Sequence, residues 1–189
     1  MSVRERILDA TAQIASEAGV AHLTLERVAE KSGVSNGGLL YHFASKDALL
    51  KAVIDHEADK FDAAVDRLMG AGMPLLEAYV EASCSTHRRI AGLAASFLAA
   101  AALDRTLLAP YQARCEAWRE RLRADGVPAD AVRAAKLMGD GLLVGSALGL
   151  VALSADELAS VKRHMLWLMR PRYEVELLRT AEAALAFGT

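Results

Sequence analysis

The tightest constraint on this chain is the run Thr24–Phe43, in which two short apolar stripes are separated by a glycine turn. Thr24 stands where a helix N-cap belongs, and Leu25, Val28 and Ala29 follow as a short apolar face. That pattern stops at Lys31-Ser32-Gly33. Ser35 then caps a further short helix carrying Leu39, Leu40 and Phe43. Ala29 is small where the two helices must cross closely, and Val34 follows the turn as a plug between them.

The flanks extend the pattern. Residues 3–18 place Val3, Ile7, Leu8, Ala10, Ile14, Ala15 and Ala18 at a helical period, with Gly19 as a left-handed stop. Ser45 caps a fourth helix with Asp47 in its first turn and Leu49, Leu50, Val53 and Ile54 as its stripe. Two short helices about a tight turn, braced in this way, form a helix-turn-helix, whose second helix enters the DNA major groove. The run resembles the TetR family of bacterial regulators over residues 3–61. The resemblance is carried by Ile7-Leu8-Asp9-Ala10, Gly19-Val20, Thr24, Val28-Ala29, Gly33-Val34-Ser35, Gly37, Tyr41-His42-Phe43 and Ser45-Lys46-Asp47-Ala48-Leu49-Leu50.

Each polar residue of the motif has a reading. Thr24 and Ser35 sit at helix N-termini, where a hydroxyl and free N–H groups hold a phosphate. Asn36, Gly37 and Gly38 lie on the first turn of the reading helix; Asn reads adenine with paired hydrogen bonds, and the glycines admit close approach to DNA. The resemblance implies phosphate contacts for Tyr41 and His42, while a packed rim is the plainer reading of each. Lys46 would hold a flanking phosphate, and Arg4 and Arg6 are further candidates. Val34, Leu39 and Phe43 read as core. Leu40 departs from the family, which more often has a phosphate-touching tyrosine there.

Charge gives no independent support, since the net charge is -2 and the pI about 6.2. Within residues 1–54, Arg4, Arg6, Arg27, Lys31, Lys46 and Lys51 are balanced by Glu5, Asp9, Glu17, Glu26, Glu30 and Asp47. The stretch from Lys31 to Lys46 nevertheless contains no acid. A locally positive reading surface and a modest salt dependence follow.

Gly70-Ala-Gly-Met-Pro74 marks a boundary, with Pro74 suited to open a helix. The expected fold is all-α: a helix-turn-helix domain over 1–61 (motif 24–43) and a helical domain over 74–189, with the fourth helix running from the first toward the second. The second half reads as a helix or two over 74–101, one or two over 104–124 broken at Pro110, one from Pro128 or Asp130 to about Leu153, and a last one from a Ser154–Glu157 capping box, interrupted at Arg170-Pro171. Gly141, Gly145 and Gly149 recur every four residues, which suggests close packing against a partner helix. A membrane span is a poor reading, because the run is short and holds Asp140.

In proteins of the resembled family the C-terminal helices bind a small effector and form a homodimer. A dimer presents two reading helices about 34 Å apart to a palindromic operator on double-stranded DNA. Pocket candidates are Tyr79, His87, Phe97, Trp118 and Met138, with Cys84, Tyr111, Cys115 and Leu142 on the same helices; plain core is the competing reading for most of them. An apolar effector oriented by a few polar groups is expected. His87-Arg88-Arg89 reads as a solvated or ion-paired face, or as a contact for an anionic group. Cys84 and His87 are three apart, but no acid stands at a recognisable position to orient them as a catalytic pair. The expectation is therefore no enzyme, no cofactor and no metal. The widely spaced thiols and the charged N-terminus read as a cytoplasmic protein.

Overall fold

A computed structural model describes residues 1–19, 22–103 and 105–169, apart from the side chain of Leu103. Those residues are helical throughout, with no strand among them. The N-terminal elements are α1 (Val3–Ala18), α2 (Leu25–Ser32), α3 (Asn36–His42) and α4 (Lys46–Gly70). Then come α5 (Leu75–Thr86), α6 (Ala91–Leu103), a 3-10 turn (Arg105–Leu107), α7 (Leu108–Ala124), α8 (Ala129–Ala147) and α9 over 155–169.

Local chemistry sets the N-terminal boundaries. Ser2 and Glu5 form a reciprocal capping box on α1. The hydroxyls of Thr24, Ser35 and Ser45 accept from the amides of Arg27, Gly38 and Ala48 at 3.2, 3.1 and 3.1 Å. Gly33 closes α2 in the left-handed region, with φ 68 and ψ 34. Gly19 also takes a positive φ, but with ψ 160 it leaves α1 extended rather than left-handed.

Two apolar cores result. Ile7, Leu8, Ile14, Val28, Leu39, Leu49 and Val53 fill the first. Val65, Leu76, Tyr79, Trp118, Leu122 and Val132 are among those filling the second. Helix α4 belongs to both and has no break at residue 61. The two units are also joined by α6, whose Leu93 packs in the N-terminal core. The approach is close: a Cβ on Gly92 would lie 2.5 Å from the Cα of Ser16 in α1 and nearer still to its carbonyl oxygen. Polar contacts reinforce this joint. Asp9 of α1 accepts from Lys60 at 2.5 Å and meets His56 Nε2 at 3.2 Å, both on α4.

Several C-terminal expectations need correction. Pro74 is the N-cap of α5 rather than its first residue. The stretch 74–101 holds two helices, the larger of the two numbers expected, and they part at His87–Ile90, where the chain has neither glycine nor proline. Pro110 does not break α7: it sits in the first turn, where its missing amide is not needed. Helix α8 stops at Ala147, well short of Leu153, because Gly149 turns left-handed at φ 68. Gly149 is therefore no rung of a helical glycine ladder. Gly145 is closed off by the returning chain, since a Cβ there would lie 2.6 Å from Val151 Cγ2. Gly141 faces open space. The Ser154–Glu157 box forms, with the Glu157 carboxylate accepting from the Ser154 amide at 2.8 Å. Val20, the start at Asp104, the interruption at Arg170-Pro171 and all that follows lie outside the described residues.

Two outcomes test the joint. Gly92→Ala forces backbone apart and should cost about 1–3 kcal/mol, as overpacking does. It would be read as a lowered Tm. Asp9 sits against competing influences: partial burial raises its pKa, but hydrogen bonds from Lys60 and His56 and their charge lower it on balance. A depressed folded pKa stabilises above the unfolded value and is lost as pH falls through the folded one. Asp9→Asn should therefore lower Tm at neutral pH, and the gap should close below the usual carboxylate range.

Candidate DNA-reading surface and interior cavity

On the N-terminal unit, Thr24, Ser35, Asn36, Gly37, Tyr41 and His42 are exposed, and Gly38 and Lys46 are half-buried. Tyr41 is 86 % exposed, far more than a packed rim residue would be. Its ring meets His42 edge-on at 5.3 Å. Leu39 and Phe43 point inward and are buried, which fixes the opposite face of α3 outward. Leu40 is 49 % exposed and lies beside this surface rather than in the core.

The two glycines of α3 differ. A Cβ on Gly38 would press on the Ser35 cap hydroxyl at 3.3 Å, so its smallness serves the cap. A Cβ on Gly37 would meet nothing within 4 Å, and its φ is ordinary. The fold gives no reason for a glycine at 37. The cations are partly spent: Lys31 pairs with Glu17 of α1 at 3.1 Å, and Arg4 lies over the Phe43 ring at 5.5 Å. The acid-free stretch is thus less positive than its composition implies.

Residues of α4–α8 line a partly open cavity of about 180 Å³. Tyr79, His87, Phe97 and Trp118 line it, as do Tyr111 and Cys115. Met138 does not join them; it packs against the second core, and Leu142 and Cys84 are buried in that core. Ile54, Phe61, Ile90, Leu93 and Leu143 complete the apolar wall. Phe61 stacks edge-on against both Tyr79 and Trp118 at 5.5 Å.

The polar part of the wall was not foreseen from sequence. Asp62 accepts from Trp118 Nε1 at 2.8 Å and from Arg114 at 2.7 Å. Asp140 accepts from Tyr111 at 3.0 Å and from Lys136 at 2.5 Å on both oxygens. Burial, then the charge of Asp140, pushes both the Tyr111 and Tyr79 phenols well above their ordinary value, so both stay neutral donors. Glu57, 4 % exposed, is held by Lys60 at 3.0 Å and by Arg89 at 2.5 Å. Lys60 and Lys136 reach their acids within one helix, at spacings of three and four, whereas Trp118, Arg114, Tyr111 and Arg89 reach theirs across elements, where no spacing in the chain announces the pair.

The polar cluster His87-Arg88-Arg89 separates in space. Arg88 and Arg89 are exposed, while His87 is 3 % exposed and lines the cavity. Its Nδ1 is 2.6 Å from the Cys84 carbonyl. That oxygen only accepts, so Nδ1 carries the proton, and in that tautomer Nε2 is the acceptor. The bond goes to the backbone of Cys84, not to its thiol, and burial pushes that thiol up. A buried, protonated thiol whose neighbouring imidazole is engaged elsewhere is no nucleophile. Among the described residues, Asp9, His56 and Glu57 are grouped closely enough to hold a metal. Lys60 already bonds both carboxylates, which marks the group as an ion-pair network.

Comparisons with known proteins agree with this architecture. Residues 7–53 match the family described as bacterial regulatory proteins, tetR family, and residues 73–170 match the Tetracyclin repressor-like C-terminal domain. The chain is 42 % identical over 69 residues to the HTH-type transcriptional repressor KstR of Mycolicibacterium smegmatis, covering 36 % of this chain and 34 % of that one. The match thus spans about a third of the curated relative. In fold, a transcriptional regulator from Rhodococcus sp. Rha1 superposes with a TM-score of 0.72 at 23 % identity, over 89 % of this chain and 96 % of the other. The multidrug binding protein EbrR, solved with ethidium, superposes with a TM-score of 0.61 at 23 % identity, over 87 % of this chain and 98 % of the other. No helix among the described residues is long and apolar enough to cross a membrane. With family matches at both ends of the chain, the second covering more than half of it, this chain belongs to the TetR family of bacterial regulatory proteins.

Proposed function

We propose that the protein is a homodimeric repressor that holds a palindromic operator and is released when a small apolar effector enters the cavity. The observation carrying the DNA half is the outer face of α3. Gly37 has no reason in the fold, and Tyr41 stands almost wholly in solvent. A bare backbone beside an exposed aromatic suits a surface that another molecule approaches closely. Asn36 and Gly37 would face base edges. Thr24, Ser35, Tyr41, His42 and Lys46 would position phosphates. The relative KstR is named a repressor, which favours that sign of regulation.

Dimerisation is supported by an apolar stripe. Leu137, Val144 and Leu148 are exposed at spacings of seven and four, with Gly141 on the same face. Trp167 and Leu168 of α9 are also exposed, at 65 % and 63 %. So many large exposed apolar side chains on two helices suit a covering partner. Of the three glycines, only Gly141 keeps a role in close helix approach.

The cavity supports the effector half. Its walls come from α4, which carries the reading unit, and from α6, which rests on α1. A ligand that binds better when these helices shift would move the reading helices and lower DNA affinity; equal affinity for both states would change nothing.

The deciding experiment uses a palindrome enriched by the wild-type protein from random DNA. Gly37→Ala should leave Tm unchanged or raise it, by up to about 1 kcal/mol of stability, since Ala favours helix. The same change should weaken operator binding at least tenfold in an anisotropy titration; unchanged affinity would remove α3 from the interface. In sedimentation, Leu137→Glu combined with Val144→Glu should turn a dimer into a monomer at micromolar concentration. A wild-type monomer there would refute the dimer.

A further inference from the structure

The chemistry of the cavity wall narrows what it accepts, given that it is the effector site proposed above. Every carboxylate oxygen of the three acids held by partners across the wall is already engaged. The two oxygens of Glu57 go to Lys60 and Arg89, those of Asp62 to Trp118 and Arg114, and those of Asp140 to Lys136, with Tyr111 added on one. The cations are spent in the same bonds. Arg114 is forked between Asp62 and Asp59, and Lys136 sits on both oxygens of Asp140. The remaining charged wall residue, Asp55, is exposed to solvent.

A charged ligand entering the interior of this space would lose hydration and meet no counter-charge that was not already paired or, like Asp55, exposed to solvent. The desolvation of an ion is repaid only by a well-placed opposite charge. Arg89 pairs with Glu57 and is not among the residues lining the cavity. What the wall does leave open is Nε2 of His87, on a side chain 3 % exposed whose other nitrogen is fixed as a donor to the Cys84 carbonyl. No protein partner for Nε2 is found among the described residues. An acceptor without a protein partner, on a side chain so little exposed, favours a ligand that brings a donor.

We infer that the cavity takes an uncharged, largely apolar molecule bearing a hydroxyl or N–H group that donates to His87 Nε2. Size points to a compact ring system. An apolar cavity of roughly 150 Å³ holds benzene, and this one is about 180 Å³.

Four probes of one shape separate the possibilities: 2-naphthol, 2-methoxynaphthalene, 2-naphthoate and 2-naphthylmethylammonium. Each is titrated calorimetrically into the full-length protein at pH 7. Naphthol should bind, with methoxynaphthalene about tenfold weaker for want of the donor, as the worth of one hydrogen bond implies. Neither ion should bind measurably. In His87→Phe the naphthol advantage should vanish while methoxynaphthalene is retained. The wild-type comparison of the four probes stands even if that variant does not fold. Binding of either ion as tight as naphthol overturns the inference, and so does equal binding of naphthol and its methyl ether. Failure of all four overturns it too. Operator binding by the same sample, measured without probe, reports separately on the DNA-reading assignment, and its loss would count against that reading alone.

Discussion

The contact on which the other parts depend is the one between Gly92 at the start of α6 and the backbone of Ser16 in α1. Without it the reading unit would hang from α4 alone. With it, the unit is held at two places, and both holding helices line the cavity. A side chain at residue 92 would push these backbones apart, so the absence of one is what lets α6, a wall of the cavity, rest directly on α1. The contact is reinforced by charge: Lys60 bridges Asp9 on α1 and Glu57 on the cavity wall. Packed backbones shift as units rather than deform smoothly, which suits a regulator with two positions.

How much of this was legible in the chain depends on how local the cause was. The N-terminal unit was readable almost residue by residue. Its boundaries are set by Ser2, Thr24, Ser35 and Ser45 as caps and Gly33 as a stop, each acting within four residues. The Leu40 departure was also visible, and the structure leaves that side chain half in solvent. The C-terminal helices were harder. Helix α6 is Ala91-Gly-Leu-Ala-Ala-Ser-Phe-Leu-Ala-Ala-Ala-Ala-Leu103, with nearly no polar face to give direction. The bend at His87–Ile90 has no breaking residue. Pro110 read as a break, yet a proline in a first turn costs nothing. Gly149 read as part of a helix, yet only its positive φ shows it to be the stop.

The cavity divides the same way. Large aromatics such as Tyr79, Phe97 and Trp118 stand out in a chain with so few of them, and the folded chain brings them to one wall. Asp62, Asp140, Arg114 and Lys136 were invisible as a set. Arg114 and Asp62 are 52 residues apart in the chain. Only tertiary packing makes them partners. His87 had two readings, as a pocket candidate and as part of a polar cluster with Arg88 and Arg89; it lines the cavity, and the helix bend leaves the two arginines outside.

The reading helix itself has a further consequence. It is seven residues long, and Gly37 and Gly38 each weaken it by about 1 kcal/mol relative to Ala. What holds it is the burial of Leu39 and Phe43 at its far end, together with the Ser35 cap. Its first turn is thus the part of the N-terminal unit most open to local unfolding. Amide hydrogens there should exchange with solvent ahead of those in α1 and α4. Contact with DNA would then complete a fold as well as recognise a sequence, and part of the binding energy would go into ordering that turn.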